Sequence, residues 1–156
     1  MARSLAGAGE FALVTQADGR RPPVADAGAD RVLVDAPCSG LGALRRRPEA
    51  RWRRGPSDVG QLGGLQRALL TSAVRLVRPG GVVAYVTCSP HPAETAPVVD
   101  DVVAAEQGLE RLDAVAALAT FGVEDAGDGP YAQLWPHRHG TDAMFVALLR
   151  RVGHTH

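Results

Sequence analysis

Lysine is absent from this sequence, so all 17 basic side chains belong to arginine, and 17 acidic residues balance them to a formal net charge of zero. A neutral chain with a local basic patch can still bind a polyanion, because phosphate contacts act over short distances. Six arginines cluster in one short stretch: Arg45, Arg46, Arg47, Arg51, Arg53 and Arg54. Composition leaves two interpretations equally open, a polyanion-binding patch or a solvated surface in a protein whose genome favours arginine codons.

Cysteine is scarce and long apolar runs are missing. Cys38 and Cys88 are the only cysteines. A structural disulfide is not expected in a cytosolic chain, and two cysteines without further Cys or His at finger spacing do not form a zinc site. Apolar runs are short and broken by Arg, Pro or Gly, which excludes a membrane span, and residues 1–5 lack the apolar core of a signal peptide. We therefore expect a cytoplasmic protein with no metal site and no membrane contact.

The alternation of short apolar runs with stretches of helical spacing defines the fold class. The 156 residues are 46% hydrophobic, which suits one compact domain and excludes a disordered tail. The pattern predicts strands at 11–15, 31–35, 82–86, 131–134 and 143–149, and helices at 57–78 and 93–107. The polar segment 136–142 indicates a hairpin between the last two strands. These elements predict an α/β fold, a doubly wound sheet with an antiparallel edge.

Polar residues follow the first three predicted strands. In a doubly wound sheet, ligands bind beyond the carboxyl ends of the strands. Asp18 follows the first strand, residues 35–40 follow the second and residues 87–89 follow the third. We therefore expect both cysteines and the carboxylates of Asp18 and Asp35 to project into one crevice. A free cysteine is most often a buried core residue, but the Pro and small polar residues beside both cysteines favour exposure and reactivity.

Two motifs resemble those of a known family. The segments DAPCSG (residues 35–40) and TCS (87–89), separated by one predicted helix, are similar to the paired signatures of the Sun/Fmu family of RNA cytosine carbon-5 methyltransferases. Further matches include RRPE (46–49), LVRPGG (76–81) and QLWPH (133–137). The resemblance extends from about Ala12 to Arg150 and is nearest to the bacterial enzymes that modify the RNA of the small ribosomal subunit, 16S rRNA.

The resemblance implies a Rossmann-like fold, S-adenosyl-L-methionine as cofactor and RNA, ribosomal RNA above all, as partner. It implies that Cys88 is the nucleophile, that Cys38 assists release of the methylated base, and that Asp35 both holds the target cytosine and helps to bind the methyl donor. Asp18 matches the acidic position that contacts the adenine of the donor. The residues alone leave the nucleophile open, because DNA cytosine methyltransferases use a Pro-Cys motif, as at Cys38, whereas the RNA family uses a Thr-Cys motif.

Cytosine methylation at carbon 5 requires residues of these types. Carbon 5 becomes nucleophilic only after a thiolate adds to carbon 6, which is covalent catalysis. A carboxyl group such as Asp35, best in a partly dry pocket, polarises the ring through its N3 and amino edge, and the base must leave any stack. Among the clustered arginines, we expect Arg45, Arg46, Arg47 and Arg51 to contact RNA phosphates, because the guanidinium fork suits phosphate oxygens.

Several residues near these motifs have less specific interpretations. We expect Trp52 to pack on the sheet rather than stack on a base. Glu94 is expected to favour the start of its helix. His91 is interpreted as a loop residue, the alternative being a thiol hydrolase that pairs His91 with Cys88.

The sequence shows neither the glycine-rich loop that cradles the methionine part of the donor nor the acidic residue for its ribose. Residues 1–156 are therefore expected to form a partial catalytic domain that is truncated at its N-terminus, with an exposed sheet edge and no N-terminal RNA-binding domain. We expect a monomer for the full-length protein. The alternative function is a non-catalytic methyltransferase fragment that binds RNA through its arginine cluster.

Overall fold

The computed structural model describes residues 13–49, 52 and 56–153. Its main elements are β1 (Ala29–Asp35), α1 (Pro56–Leu76), β2 (Val77–Thr87), α2 (Ala96–Ala105), β3 (Leu109–Leu112), α3 (Ala114–Ala119), β4 (Ala132–Gln133), α4 (Pro136–His139) and β5 (Phe145–Arg151). Short 3-10 turns at Leu41–Ala43 and Pro92–Glu94 follow the loops after β1 and β2.

The strands form one mixed sheet in the order β1-β2-β5-β3, with β4 also paired to β5. β1 and β2 are parallel, whereas β5 runs antiparallel to β2, β3 and β4. The parallel register places Asp35 beside Val86, so the carboxyl ends of β1 and β2 lie next to each other. The α/β prediction is confirmed, and so is the hairpin, because β4 pairs with β5 across α4.

Helices cover both faces of the sheet. On one face, α1 and α2 pack against alternate residues of β2 and β5, and these buried side chains include Leu70, Val99, Val83, Tyr85 and Leu149. On the other face, α3 packs with Val146 and Leu148 of β5 in a smaller cluster. Alternate residues of a strand point to opposite faces, so two apolar layers arise from one strand. The predicted helices at 57–78 and 93–107 correspond to α1 and to the turn followed by α2.

The first predicted strand is wrong for the residues that the structure describes. Residues 13–15 have no regular secondary structure, while Phe11 and Ala12 lie outside the described residues. Leu13 is 92% exposed, so its apolar side chain packs against nothing that would hold a strand there. β3 and α3 were not predicted, because both are short and lack a strong apolar period.

β1 is an edge strand of the sheet formed by the described residues, since it pairs only with β2. Leu33 of β1 is 69% exposed, and it lines an apolar groove with Gly19, Pro22 and Leu69. Within the described residues, one side of β1 is therefore unpaired.

Among the described residues, no helix combines the length and the apolar character that a membrane crossing requires.

Replacement of Leu70 by alanine tests this packing. Leu70 is fully buried between α1 and the sheet, so Leu70→Ala should lower the free energy of unfolding by about 2–5 kcal/mol. Leu33→Ala is the matched control, because Leu33 is exposed, and it should change stability by no more than about 0.5 kcal/mol. Urea unfolding followed by circular dichroism measures both values, and equal losses in the two variants would contradict the described core.

Candidate active site

The two cysteines meet at the carboxyl ends of β1 and β2. Because these strands are parallel neighbours, the loops that follow them leave the sheet at the same edge. Gly40, with a φ of 73°, turns the first loop back toward the second. As a result, the Sγ atoms of Cys38 and Cys88, 50 residues apart in sequence, lie 3.2 Å from each other. Neither cysteine forms a disulfide.

A cleft of about 480 Å³ opens above the two sulfurs. Cys38, Cys88 and Asp35 all line it, and Arg47 and Glu49 form part of its wall. The structure thus brings together the three residues predicted to be catalytic. Asp35 is exposed rather than enclosed in a partly dry pocket, because it is the last residue of β1, at the open edge of the sheet.

The thiol pair is electrostatically asymmetric. A hydrogen bond from Cys38 lowers the pKa of Cys88 to about 7, although burial and the carboxylates of Asp35 and Asp142 oppose this shift. The same hydrogen bond raises the pKa of Cys38, and burial raises it further. Near neutral pH, Cys88 is therefore present in part as the thiolate, with Cys38 as the S–H donor. This asymmetry indicates that Cys88 is the more reactive thiol.

A buried carboxylate links the two cysteine loops from below. Glu94 is fully buried, and its side chain accepts hydrogen bonds from the Ser39 backbone N–H at 2.7 Å and the Ser39 hydroxyl at 2.5 Å. The Ser39 hydroxyl also lies 3.2 Å from that of Ser89. Glu94 lies in the 3-10 turn just before α2, at the start of the helical segment as expected, and its buried side chain also binds Ser39.

A third loop, after α4, closes against the cysteine loops. Gly42 donates its N–H to the carbonyl of Cys88 at 2.9 Å and accepts from the N–H of Ala143 at 3.0 Å. A Cβ atom at Gly42 would lie 2.1 Å from the Ala143 carbonyl oxygen, so only glycine allows this approach. Asp142, which is almost completely buried, forms an ion pair with Arg46. Sequence reasoning missed this contact because its partners are 96 residues apart.

Asp18 does not join the cleft, contrary to the expectation that it would share the crevice. Its carboxylate pairs with Arg20 at 2.6 Å, and this contact lowers its pKa to about 2. It lies in a separate depression with Arg20 and Arg21. The reason is that residues 13–15 form no strand, so Asp18 does not stand at a strand end of the sheet.

The clustered arginines have different surroundings. Arg47 lines the cleft, Arg46 is paired with Asp142, and Arg45 donates to the carbonyl of Gly140 at 3.3 Å. Arg51 lies outside the described residues. Trp52 is 85% exposed, so the expectation that it packs on the sheet is wrong.

His91 is a loop residue, and its ring forms no hydrogen bond with the thiol of Cys38 or Cys88 in the described part of the chain. Its Nδ1 accepts from the backbone N–H of Ala93 at 3.2 Å, and the backbone N–H of His91 donates to the hydroxyl of Ser89. The ring therefore caps the following turn, and this contact argues against a thiol–imidazole pair with Cys88. Within the described part of the chain, no group of three or more His, Cys, Asp or Glu residues could hold a metal ion.

Comparisons with known proteins agree with this geometry. The family model described as 16S rRNA methyltransferase RsmB/F matches residues 4–150. A putative methyltransferase of Mycobacterium tuberculosis is 59% identical over 135 residues, which are 86% of this chain and 29% of that protein. The ribosomal RNA small subunit methyltransferase B of Serratia proteamaculans is 36% identical over 138 residues, covering 87% of this chain and 30% of that protein.

Solved structures give the same result. The crystal structure of NSun6 from Pyrococcus horikoshii with SFG matches with a TM-score of 0.70 and 27% identity, over 89% of this chain and 34% of that chain. The chain spans 29% of the length of the M. tuberculosis relative. The family match over almost the whole chain, together with the Rossmann-like methyltransferase sheet and the two motifs at its edge, shows that this chain belongs to the 16S rRNA methyltransferase RsmB/F family, also called Sun/Fmu.

Proposed function

We propose that this chain forms part of the catalytic domain of an RNA cytosine carbon-5 methyltransferase that acts on ribosomal RNA in the cytoplasm. The observation that carries the proposal is the pair of sulfurs, 3.2 Å apart, in one cleft with the carboxylate of Asp35. The names of the relatives support ribosomal RNA as the substrate. The thiol chemistry supports cytosine, because addition of a thiolate to carbon 6 activates carbon 5.

The target base is proposed to enter the cleft after leaving its stack. A volume of about 480 Å³ is large enough for a pyrimidine. Asp35, at the end of β1, would hold the N3 and amino edge of the ring and so polarise it for addition. Arg47, in the wall of the same cleft, would contact the RNA backbone. Arg45, Arg46 and Arg51 are proposed to extend this contact; for Arg46 this requires that its ion pair with Asp142 be shared or released.

Cys88 is proposed to form the covalent bond. Its lowered pKa keeps a thiolate available near neutral pH, and this sulfur would add to carbon 6 and move an electron pair to carbon 5. S-adenosyl-L-methionine, when bound, supplies the methyl group that carbon 5 accepts. Loss of the carbon-5 proton then restores the ring double bond and expels the Cys88 thiolate.

Cys38 is proposed to take part in that last step. Its pKa is raised chiefly because it donates a hydrogen bond to the Cys88 thiolate. Once the Cys88 sulfur is bonded to carbon, its negative charge is gone and this cause disappears. Cys38 can then release its own proton to the solvent and, as a thiolate, take up the carbon-5 proton. The hydrogen bond between the two sulfurs thus stabilises the Cys88 thiolate before addition. After addition the bond no longer raises the pKa of Cys38.

The described residues fit one end of the methyl donor. The apolar groove of about 300 Å³ beside β1 adjoins Asp35, and Leu33, Leu69 and Pro22 line it. Its walls suit a flat adenine ring. Asp18 directly precedes Gly19 of this groove, and its proposed contact with adenine requires that its pair with Arg20 open. No match to the glycine-rich donor loop was found in residues 1–156, so we propose that this chain is a partial catalytic domain.

Donor binding by this chain alone should be weak, since no match was found for the loop that holds the methionine part. Titration calorimetry with S-adenosyl-L-methionine should give a dissociation constant above about 1 mM, a binding free energy weaker than about 4 kcal/mol. Saturable binding at micromolar concentrations would show that these 156 residues hold the whole donor.

A covalent complex with RNA tests the assignment of the nucleophile. RNA that contains 5-azacytosine should trap the protein in the presence of millimolar donor, because the adduct cannot lose a proton from position 5. Cys88→Ala should abolish the complex, while Cys38→Ala should retain it, since only Cys88 bonds to the ring. Denaturing gel electrophoresis measures the complex.

The reverse pattern, with loss in Cys38→Ala and retention in Cys88→Ala, would overturn the assignment of the two thiols. Salt-sensitive RNA binding by all three proteins without any covalent complex would favour the alternative function, an RNA-binding fragment without catalysis.

A further inference from the structure

Glu94 is a buried acidic residue that the proposed reaction does not use. It is 0% exposed and does not line the cleft. A buried carboxylate is costly unless donors satisfy it. Here one oxygen, Oε1, accepts from the Ser39 N–H at 2.7 Å and from Nε2 of Gln66 at 3.3 Å, and Oε2 accepts from the Ser39 hydroxyl at 2.5 Å. These three donors are all neutral, so they make Glu94 an anchor for neighbouring chain segments rather than half of an ion pair.

The hydrogen bonds around Glu94 have a fixed direction. The Ser39 hydroxyl has one hydrogen, and a carboxylate oxygen accepts it. The 3.2 Å contact between the hydroxyls of Ser39 and Ser89 must therefore be a donation from Ser89. Ser89 in turn accepts from the backbone N–H of His91 at 3.1 Å. A continuous chain of donors thus runs from the Cys88 loop through Ser39 to Glu94.

This chain of donors holds the residues next to both cysteines. Ser39 directly follows Cys38, and Ser89 directly follows Cys88. On the other side of Cys38, the carbonyl of Pro37 accepts from Nε2 of Gln66 at 3.0 Å, the same nitrogen that reaches Glu94. Cys38 is therefore fixed from both sides, and all these contacts converge on one carboxylate.

Glu94 is itself held firmly. Its backbone carbonyl accepts a hydrogen bond from the hydroxyl of Tyr85 at 3.0 Å, and Tyr85 is fully buried in the core. Hydrogen-bonded groups in a buried network specify one arrangement of the segments they join, and both carboxylate oxygens of Glu94 are hydrogen-bonded. The arrangement specified here is the separation of the two cysteine loops.

We propose that Glu94 is a positioning residue, which acts through Ser39 and Ser89 to hold Cys38 and Cys88 at the distance where one thiol donates to the other. The thiol geometry stands by itself, whereas its importance for catalysis rests on the proposed function. The other charged groups that act on Cys88 are Asp35, Asp142 and Arg46, which is also paired with Asp142. None of these forms a hydrogen bond with Glu94, and the charge of Glu94 itself is separated from its contacts by the Glu94→Gln variant below.

The test is the pH dependence of Cys88 alkylation by iodoacetamide, resolved for each cysteine by mass spectrometry. The native protein should show a midpoint at about pH 7. Glu94→Leu fills the space but removes both acceptors, so the midpoint should rise by at least about one unit, and alkylation at pH 6 should slow about tenfold for each unit. Cys38→Ala, which removes the donor itself, should give a shift in the same direction.

Two further variants separate positioning from general stability. Glu94→Gln can accept from the Ser39 N–H and donate to its hydroxyl, so it should keep the native midpoint. Asp101→Asn is the control on α2: it removes an exposed ion pair with Arg67 and should leave the profile unchanged. A folded Glu94→Leu protein with the native midpoint would overturn the proposal.

Ser39→Ala decides the matter if Glu94→Leu does not fold. It breaks the link between Ser89 and Glu94 but keeps the backbone contact, so the midpoint should rise by less than in Cys38→Ala, and an unchanged midpoint would overturn the proposal. The assay contains neither RNA nor donor. If the pH midpoints shift as expected but no covalent RNA complex forms, the proposed function would be rejected and the positioning role of Glu94 would remain supported.

Discussion

The hydrogen bond between the sulfurs of Cys38 and Cys88 is the contact on which the chemistry of this cleft depends. It exists because β1 and β2 are parallel neighbours, so that their carboxyl ends meet and the loops that follow them touch. Two thiols in ordinary surroundings would both be mostly protonated at neutral pH. Their contact divides the roles: one sulfur keeps its proton, and the other becomes the better nucleophile.

Three loops and one helix hold the two sulfurs in contact at the solvent-exposed edge of the sheet. Gly42 lets the Cys38 loop approach the carbonyls of Cys88 and Ala143 so closely that no other residue would fit. Glu94 fixes the chain beside both cysteines from within the core. The cleft side remains open, with Asp35 exposed at its rim. The structure is therefore rigid behind the sulfurs and accessible in front of them, which suits a site that receives a large substrate.

Sequence reasoning predicted the features that depend on local pattern. The apolar period of α1 and the unbroken apolar run of β2 identified both elements, and their order predicted that Cys38 and Cys88 would share one edge. It failed where apolar residues lacked a partner, as at Leu13 and at Trp52, because a β-forming or aromatic side chain alone does not create a packing surface.

The sequence could not reveal contacts that join distant segments. Glu94 follows a proline in a turn, which resembles the start of any helix, and only the fold brings it to Ser39, 55 residues away. The one available signal was that a serine follows each cysteine. Asp18 shows the opposite error: its position after a predicted strand placed it in the shared crevice, whereas its carboxylate pairs with Arg20 in a separate depression.

Phenylarsine oxide measures the sulfur contact most directly, since one arsenic atom bridges two thiols only when they are close together. The chain has no cysteines besides Cys38 and Cys88, so native mass spectrometry should show one arsenical per chain with both thiols protected from alkylation. Cys38→Ala and Cys88→Ala should each bind far more weakly. Native protein that binds no tighter than these variants would contradict the account, because its two sulfurs would not lie within reach of one another.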